Sequence, residues 1–182
     1  RDQGIWNPYK AKDQLSGKPA GPTVYVDRLA PLEFGPEGKL PKAPEILSLK
    51  GDAKKGKALI GRCYVCHKIG SSGVEFGPAL AGWGRGQTRE IILNAMLDPS
   101  AEISHGFEGT ELVVKGDKKI QGFIQAEGDP LVIRVFGGQD LVVGKADLKS
   151  RKQVKTSFMA PASRLGLNAQ QLRDVVEYLK LN

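Results

Sequence analysis

The sequence predicts a mainly α-helical core, interrupted by a small antiparallel β-sheet and preceded by an extended Pro-rich arm. Three observations lead there. Apolar residues recur at helical spacing around Ala58 and Leu59, from Ile91 to Met96, and from Leu172 to Leu179. Between residues 109 and 155 the period falls to two, with Gly-rich turns between short runs. Pro8, Pro19, Pro22, Pro31, Pro36, Pro41 and Pro44 all fall in the first fifty residues, which excludes a long helix there.

Residues 1–50 read as an arm that wraps the core or as an interdomain linker. Composition allows both. Trp6, Tyr9, Tyr25, Leu29, Leu32, Phe34, Ile46 and Leu47 favour the arm, because disordered linkers carry little apolar area. Thr23 to Val26 reads as one short strand. Residues 51–182 form the second unit. Asp52 caps a short helix that delivers Cys63, and Gly70 to Gly73 form a loop. Thr88 caps the next helix, which Pro99 ends near Asp98. Strands follow at 110–115, 119–126, 131–136 and 141–143, an insert spanning 109–155 with no catalytic pattern. Asn168 and Gln171 then form a capping box for the last helix.

Cys63-Tyr64-Val65-Cys66-His67 carries the chemistry. Cys-x-x-Cys-His is the attachment signature of a c-type haem. Two thiols one helical turn apart reach one edge of a porphyrin and form thioethers with its vinyl groups. The histidine that follows supplies the fifth ligand of iron. A zinc site needs two more ligands at matching spacing, and the chain has no other Cys and only His105 besides. A thioredoxin-type pair belongs after a strand, whereas Cys63 ends a helical pattern. A disulfide across this spacing needs a special turn. The sequence therefore predicts one covalent haem c. Pro78, in Phe76-Gly77-Pro78-Ala79-Leu80, stiffens a turn whose carbonyl can take the free N–H of His67. Trp83 reads either as packing on the haem edge, with its N–H on a propionate, or as an ordinary core tryptophan. Met96 is a candidate sulfur ligand placed in an apolar helical stripe, the setting of a core methionine.

The formal charge of +7 is spread along the chain, with a slight peak in 109–155. No long Lys/Arg run or aromatic-basic interleaving points to nucleic acid. No apolar run reaches membrane-spanning length. The chain begins with Arg1, which leaves open a removed targeting segment or a piece of a longer protein. Thioether attachment normally takes place outside the cytoplasm, so a periplasmic or otherwise exported location is expected.

Helix, Cys-x-x-Cys-His, Gly-Pro-x-Leu loop, middle helix, Met loop and terminal helix together resemble a class I cytochrome c, over residues 51–108 and 156–182. Gly51 to Asn182, insert included, is similar to a narrower family. That family is the haem-binding domain at the C-terminal end of large exported dehydrogenase-like proteins of planctomycete-type bacteria. Its pattern is carried by Gly51-Asp52-Ala53-Lys54-Lys55-Gly56-Lys57-Ala58, the haem motif and Phe76 to Leu80. Leu97-Asp98-Pro99-Ser100-Ala101-Glu102-Ile103, Ser157-Phe158-Met159 and Tyr178-Leu179 complete it. One departure is Ala160, which stands between Met159 and Pro161 where the family has Pro directly after Met.

The resemblance implies a cytochrome c core in which Cys63 and Cys66 attach haem and His67 and Met159 ligate iron. Leu80 and Phe158 join Pro78, Trp83 and Met96 as residues expected around the group. The implied function is one-electron transfer by a carrier rather than an enzyme, to a redox partner protein. Lys115, Lys118, Lys119, Lys145, Lys149, Arg151, Lys152 and Lys155 suggest an acidic partner, or serve only solubility. Oligomeric state is not predicted. Alternatives are the electron-accepting haem module of a larger dehydrogenase, a haem peroxidase using His105, and a ligand sensor.

Overall fold

Short polar side chains start the longer helices where the sequence places them. Asp52 accepts from the backbone N–H groups of Lys54 and Lys55 and caps a helix at Ala53–Leu59. Thr88 accepts from Ile91 N–H and starts Arg89–Leu97, and the Asn168/Gln171 capping box starts Ala169–Leu181. The computed structural model describes residues 34–182. The strand expected at Thr23–Val26, and Trp6, Tyr9 and Tyr25, lie outside the described residues.

In chain order the helices are α1 (Ala43–Ser48), α2 (Ala53–Leu59), α3 (Trp83–Gly86), α4 (Arg89–Leu97) and α5 (Ala169–Leu181). A 3-10 turn at Ile60–Cys63 continues α2. A tight hairpin, β1 (Lys68–Ile69) with β2 (Ser72–Gly73), replaces the expected loop. Helix α5 is the hub. Its Leu172, Val175, Val176 and Leu179 pack with Ile60, Ile92, Leu93 and Met96. Helices α2 and α3 approach α5 through glycines. A Cβ on Gly56 would sit 2.1 Å from Asp174 O, and one on Gly84 would sit 2.1 Å from Leu179 O. Ile46 of α1 is fully buried in the same core, so the described part of the arm packs on the domain.

The remaining strands are β3 (Gly109–Val114), β4 (Lys118–Ala126), β5 (Leu131–Val135), β6 (Gln139–Val143) and β7 (Leu148–Val154). They form one antiparallel sheet in the order β6-β5-β4-β3-β7. Register places Leu112 beside Ile120, Ile124 beside Ile133, and Leu131 beside Val143. Alternation thus puts these side chains on one face. That face is buried, yet every member of its cluster is a strand residue. The sheet therefore curls over its own apolar face, as twisted strands allow. Arg151 of β7 pairs with Glu127 at the end of β4 (2.9 Å), across the strand between them.

The expectation of a mainly α cytochrome c core is overturned. Among the described residues strands are about as abundant as helices, and the architecture is mixed. Two physical reasons account for it. The helices around α5 are short, α3 spanning only 4 residues. The sheet has a fifth strand, β7, and an interior of its own, so it is half of the fold rather than a small insert. Among the described residues no helix is long and apolar enough to cross a membrane.

Candidate cofactor-binding cleft

The cysteine motif lies on a helical turn that extends the α2 segment. His67 N–H donates to Cys63 O (2.8 Å) and Cys66 N–H to the same oxygen (3.2 Å). The chain then reverses through the β1–β2 hairpin and returns beside the motif. Phe76 and Gly77 donate their N–H groups to Cys66 O, at 3.1 and 2.6 Å, and Leu80 N–H donates to Lys68 O (3.0 Å). These bonds bring Pro78 O within 2.6 Å of His67 Nδ1. A carbonyl only accepts, so Nδ1 carries the proton and Nε2 keeps its lone pair. Gly77 is required at this approach, since a Cβ there would lie 2.8 Å from His67 Cε1.

Burial lowers the His67 pKa, and the bond to Pro78 opposes this only in part. The imidazole is therefore neutral near pH 7, the form that binds a metal. Burial pushes the thiols of Cys63 and Cys66 up to about 11, against the pull of Arg62 on Cys63. Both are neutral thiols near pH 7. Among the described residues no group of three or more His, Cys, Asp and Glu is placed to hold a metal ion.

Cys63, Cys66 and His67 open onto a cleft whose empty space, mouth included, is about 1050 Å³. Pro78, Leu80, Trp83, Met96, Phe158 and Met159 line the same cleft. All nine residues expected around the group are thus together. Met159 arrives from the segment between β7 and α5. Trp83 and Met96 line the cleft and pack on the helical core as well, so the two readings of Trp83 share this side of the fold. His105 is exposed, lies 3.3 Å from Glu108, and is not part of this wall.

Sequence reasoning missed the opposite contribution, from the sheet. Phe123 of β4 and Phe107 line the cleft beside Phe76 and Phe158. Ring centroids lie 4.7 Å apart for Phe76 and Phe123, and 5.3 Å apart for Phe123 with both Phe107 and Phe158. Phe136 joins through Phe76 at 5.4 Å. Phe123 could have been suspected only as an aromatic on the face opposite Ile120 and Ile124. Glu102, Ile103 and Ser104, from the segment after α4, also line the cleft; the first two entered the sequence analysis only as part of the resemblance, without a place at the site. Nothing in their spacing marks them.

The donor set fits an iron porphyrin. It comprises a neutral imidazole with a free Nε2, a thioether, and two thiols one turn apart, on walls dominated by apolar side chains. Comparison with protein-family models and with curated proteins gives no match to this chain.

Proposed function

We propose that this chain holds one covalently attached haem c and carries single electrons to and from a partner protein. The observation that supports this most is the convergence of Cys63, Cys66 and His67 with the distant Met159 on one apolar cleft. Cys63 and Cys66 anchor the group, and His67 presents Nε2 to iron with its ring held by Pro78 O. Met159 supplies the sulfur ligand, and the phenylalanine and leucine side chains exclude water. When bound, haem supplies one-electron exchange at an iron whose His/Met ligation favours a raised potential. His67 and Met159 would together take the positions on a bound iron that a substrate needs, which supports a carrier rather than an enzyme. The same chemistry serves a module that accepts electrons from a larger dehydrogenase. A peroxidase reading needs an acid or base beside an open position; His105 lies outside the cleft, while the carboxylate Glu102 is on its wall. The proposed partner is an acidic redox protein met in the periplasm or another exported location.

The test is direct. Denatured protein should retain its haem through acid-acetone extraction, with one haem per chain by mass, and Cys63→Ala with Cys66→Ala should release it. Reduced protein should show no change in its absorption spectrum under carbon monoxide. Freely extractable haem sinks the reading, and ready carbon monoxide binding turns it toward a sensor or peroxidase.

A further inference from the structure

The loop that carries Met159 is tied to the rest of the fold by a two-link chain of serines. Met159 N–H donates to Ser157 Oγ (3.1 Å), and Ser157 N–H donates to Ser100 Oγ (3.1 Å). Ser100 is itself held at the exit of α4, where its N–H donates to Asp98 Oδ1 (3.2 Å). The first link alone would be a local turn. The second makes it a tertiary tie, because it joins the Met159 loop to the exit of α4, a helix that also lines the cleft through Ile92, Ala95 and Met96.

We propose that Ser157, held by Ser100, is the positioning residue that keeps the Met159 thioether at the iron. The proposal rests on the ligation set out above and adds the device that maintains it. A thioether is a neutral, weakly held ligand, and it stays in place only while its loop is kept from swinging away. Each hydrogen bond that holds the loop in its ligating shape adds to the equilibrium between bound and displaced sulfur. Neither serine touches the ligating atom, so both act through the backbone of residues 157–159.

The experiment is an imidazole titration of the full, ferric protein, read by loss of the sulfur-to-iron charge-transfer band. Ser157→Ala and Ser100→Ala should each tighten the apparent affinity for imidazole about three- to tenfold, the equivalent of one ordinary hydrogen bond. The double variant should gain little over the stronger single one, because both changes break the same chain. Ser157→Thr, which keeps the hydroxyl, should titrate like the parent. A merely structural role would lower the thermal midpoint of the variants and leave imidazole affinity unchanged, and that result overturns the proposal while the ligation reading stands. A parent protein without the charge-transfer band overturns both. If Ser157→Ala does not fold, Ser100→Ala, which leaves the local turn intact, decides the question by the same criterion.

Discussion

The helical half and the sheet half of this protein bury their apolar clusters by opposite means. Around α5 the helices meet through close backbone approaches at Gly56 and Gly84, and they leave one side open as a cleft. The sheet curls until Leu112, Val114 and Ile133 are sealed from solvent by other strand residues. Every expected ligand belongs to the helical half or its loops. The sheet's contribution is a wall, Phe123, and the phenylalanine cluster is where the halves meet. Ligand chemistry and structural closure are thus divided between two regions, joined by aromatic packing.

That division can be broken at its seam. Phe123→Ala should have the largest effect, a loss of about 3–5 kcal/mol, as for other buried phenylalanines. It should also split the urea transition in two, with circular dichroism of the sheet and the absorption band of the proposed haem changing at different midpoints. A single, slightly shifted transition would mean that the halves are joined elsewhere. Within each half the expected losses are similar, about 2–5 kcal/mol for Ile133→Ala and for Leu172→Ala. Only the second should alter the haem spectrum near its midpoint, since Leu172 packs in the core from which the cleft is built.

A smaller effect sharpens the helical side. Glu177 of α5 accepts from Arg89 Nε (2.8 Å) at the start of α4 and from Arg173 Nη1 (2.8 Å). Its hydrogen bond to Arg89, then that to Arg173, hold its pKa down at about 2. A carboxyl with a depressed folded-state pKa stabilises the fold above its unfolded value, and this contribution is lost as pH falls from about 4.5 toward 2. Glu177→Gln should therefore cost about 1 kcal/mol at pH 7 and flatten the fall in thermal midpoint over that acid window. Equal slopes for variant and parent would remove this tie from the account of acid stability.

The smallest effect concerns the sheet's charges. Lys149 pairs with Asp117 (2.7 Å), and Arg151 pairs with Glu127, so part of the basic cluster is neutralised locally. Lys149→Glu with Lys152→Glu should lower the rate of electron exchange with an acidic acceptor by about twofold to threefold at low salt. The difference should vanish by roughly 1 M, where the screening length is about 3 Å. A stopped-flow salt series measures it, and identical rates at low salt would leave these lysines only a role in solubility.

Much of the cleft was readable because its parts are local signals. Cys63, Cys66 and His67 announce themselves by spacing, and Asp52, Thr88 and Asn168 by cap chemistry. Strands β3, β4 and β5 followed from a period of two. Strand β7 did not, because Leu148–Val154 is an edge strand exposed along nearly its whole length, and Lys149 to Gln153 show no apolar alternation. The balance of helix and strand was misjudged for the same reason, since a missing fifth strand makes a self-sealed sheet look like an insert.

The sequence by itself determined the turn that pairs two thiols with a histidine, the helix starts, and the alternation of four strands. Each depends on residues a few positions apart, where spacing dictates which side chains share a face. The meeting of Pro78 O with His67 Nδ1 was expected from the sequence. Only the tertiary structure decided that the Met159 loop is tied through Ser157 to Ser100, and that Phe123 closes the cleft from the sheet. Those contacts join elements far apart in the chain. They are set by how two apolar interiors pack against each other, which no local pattern encodes.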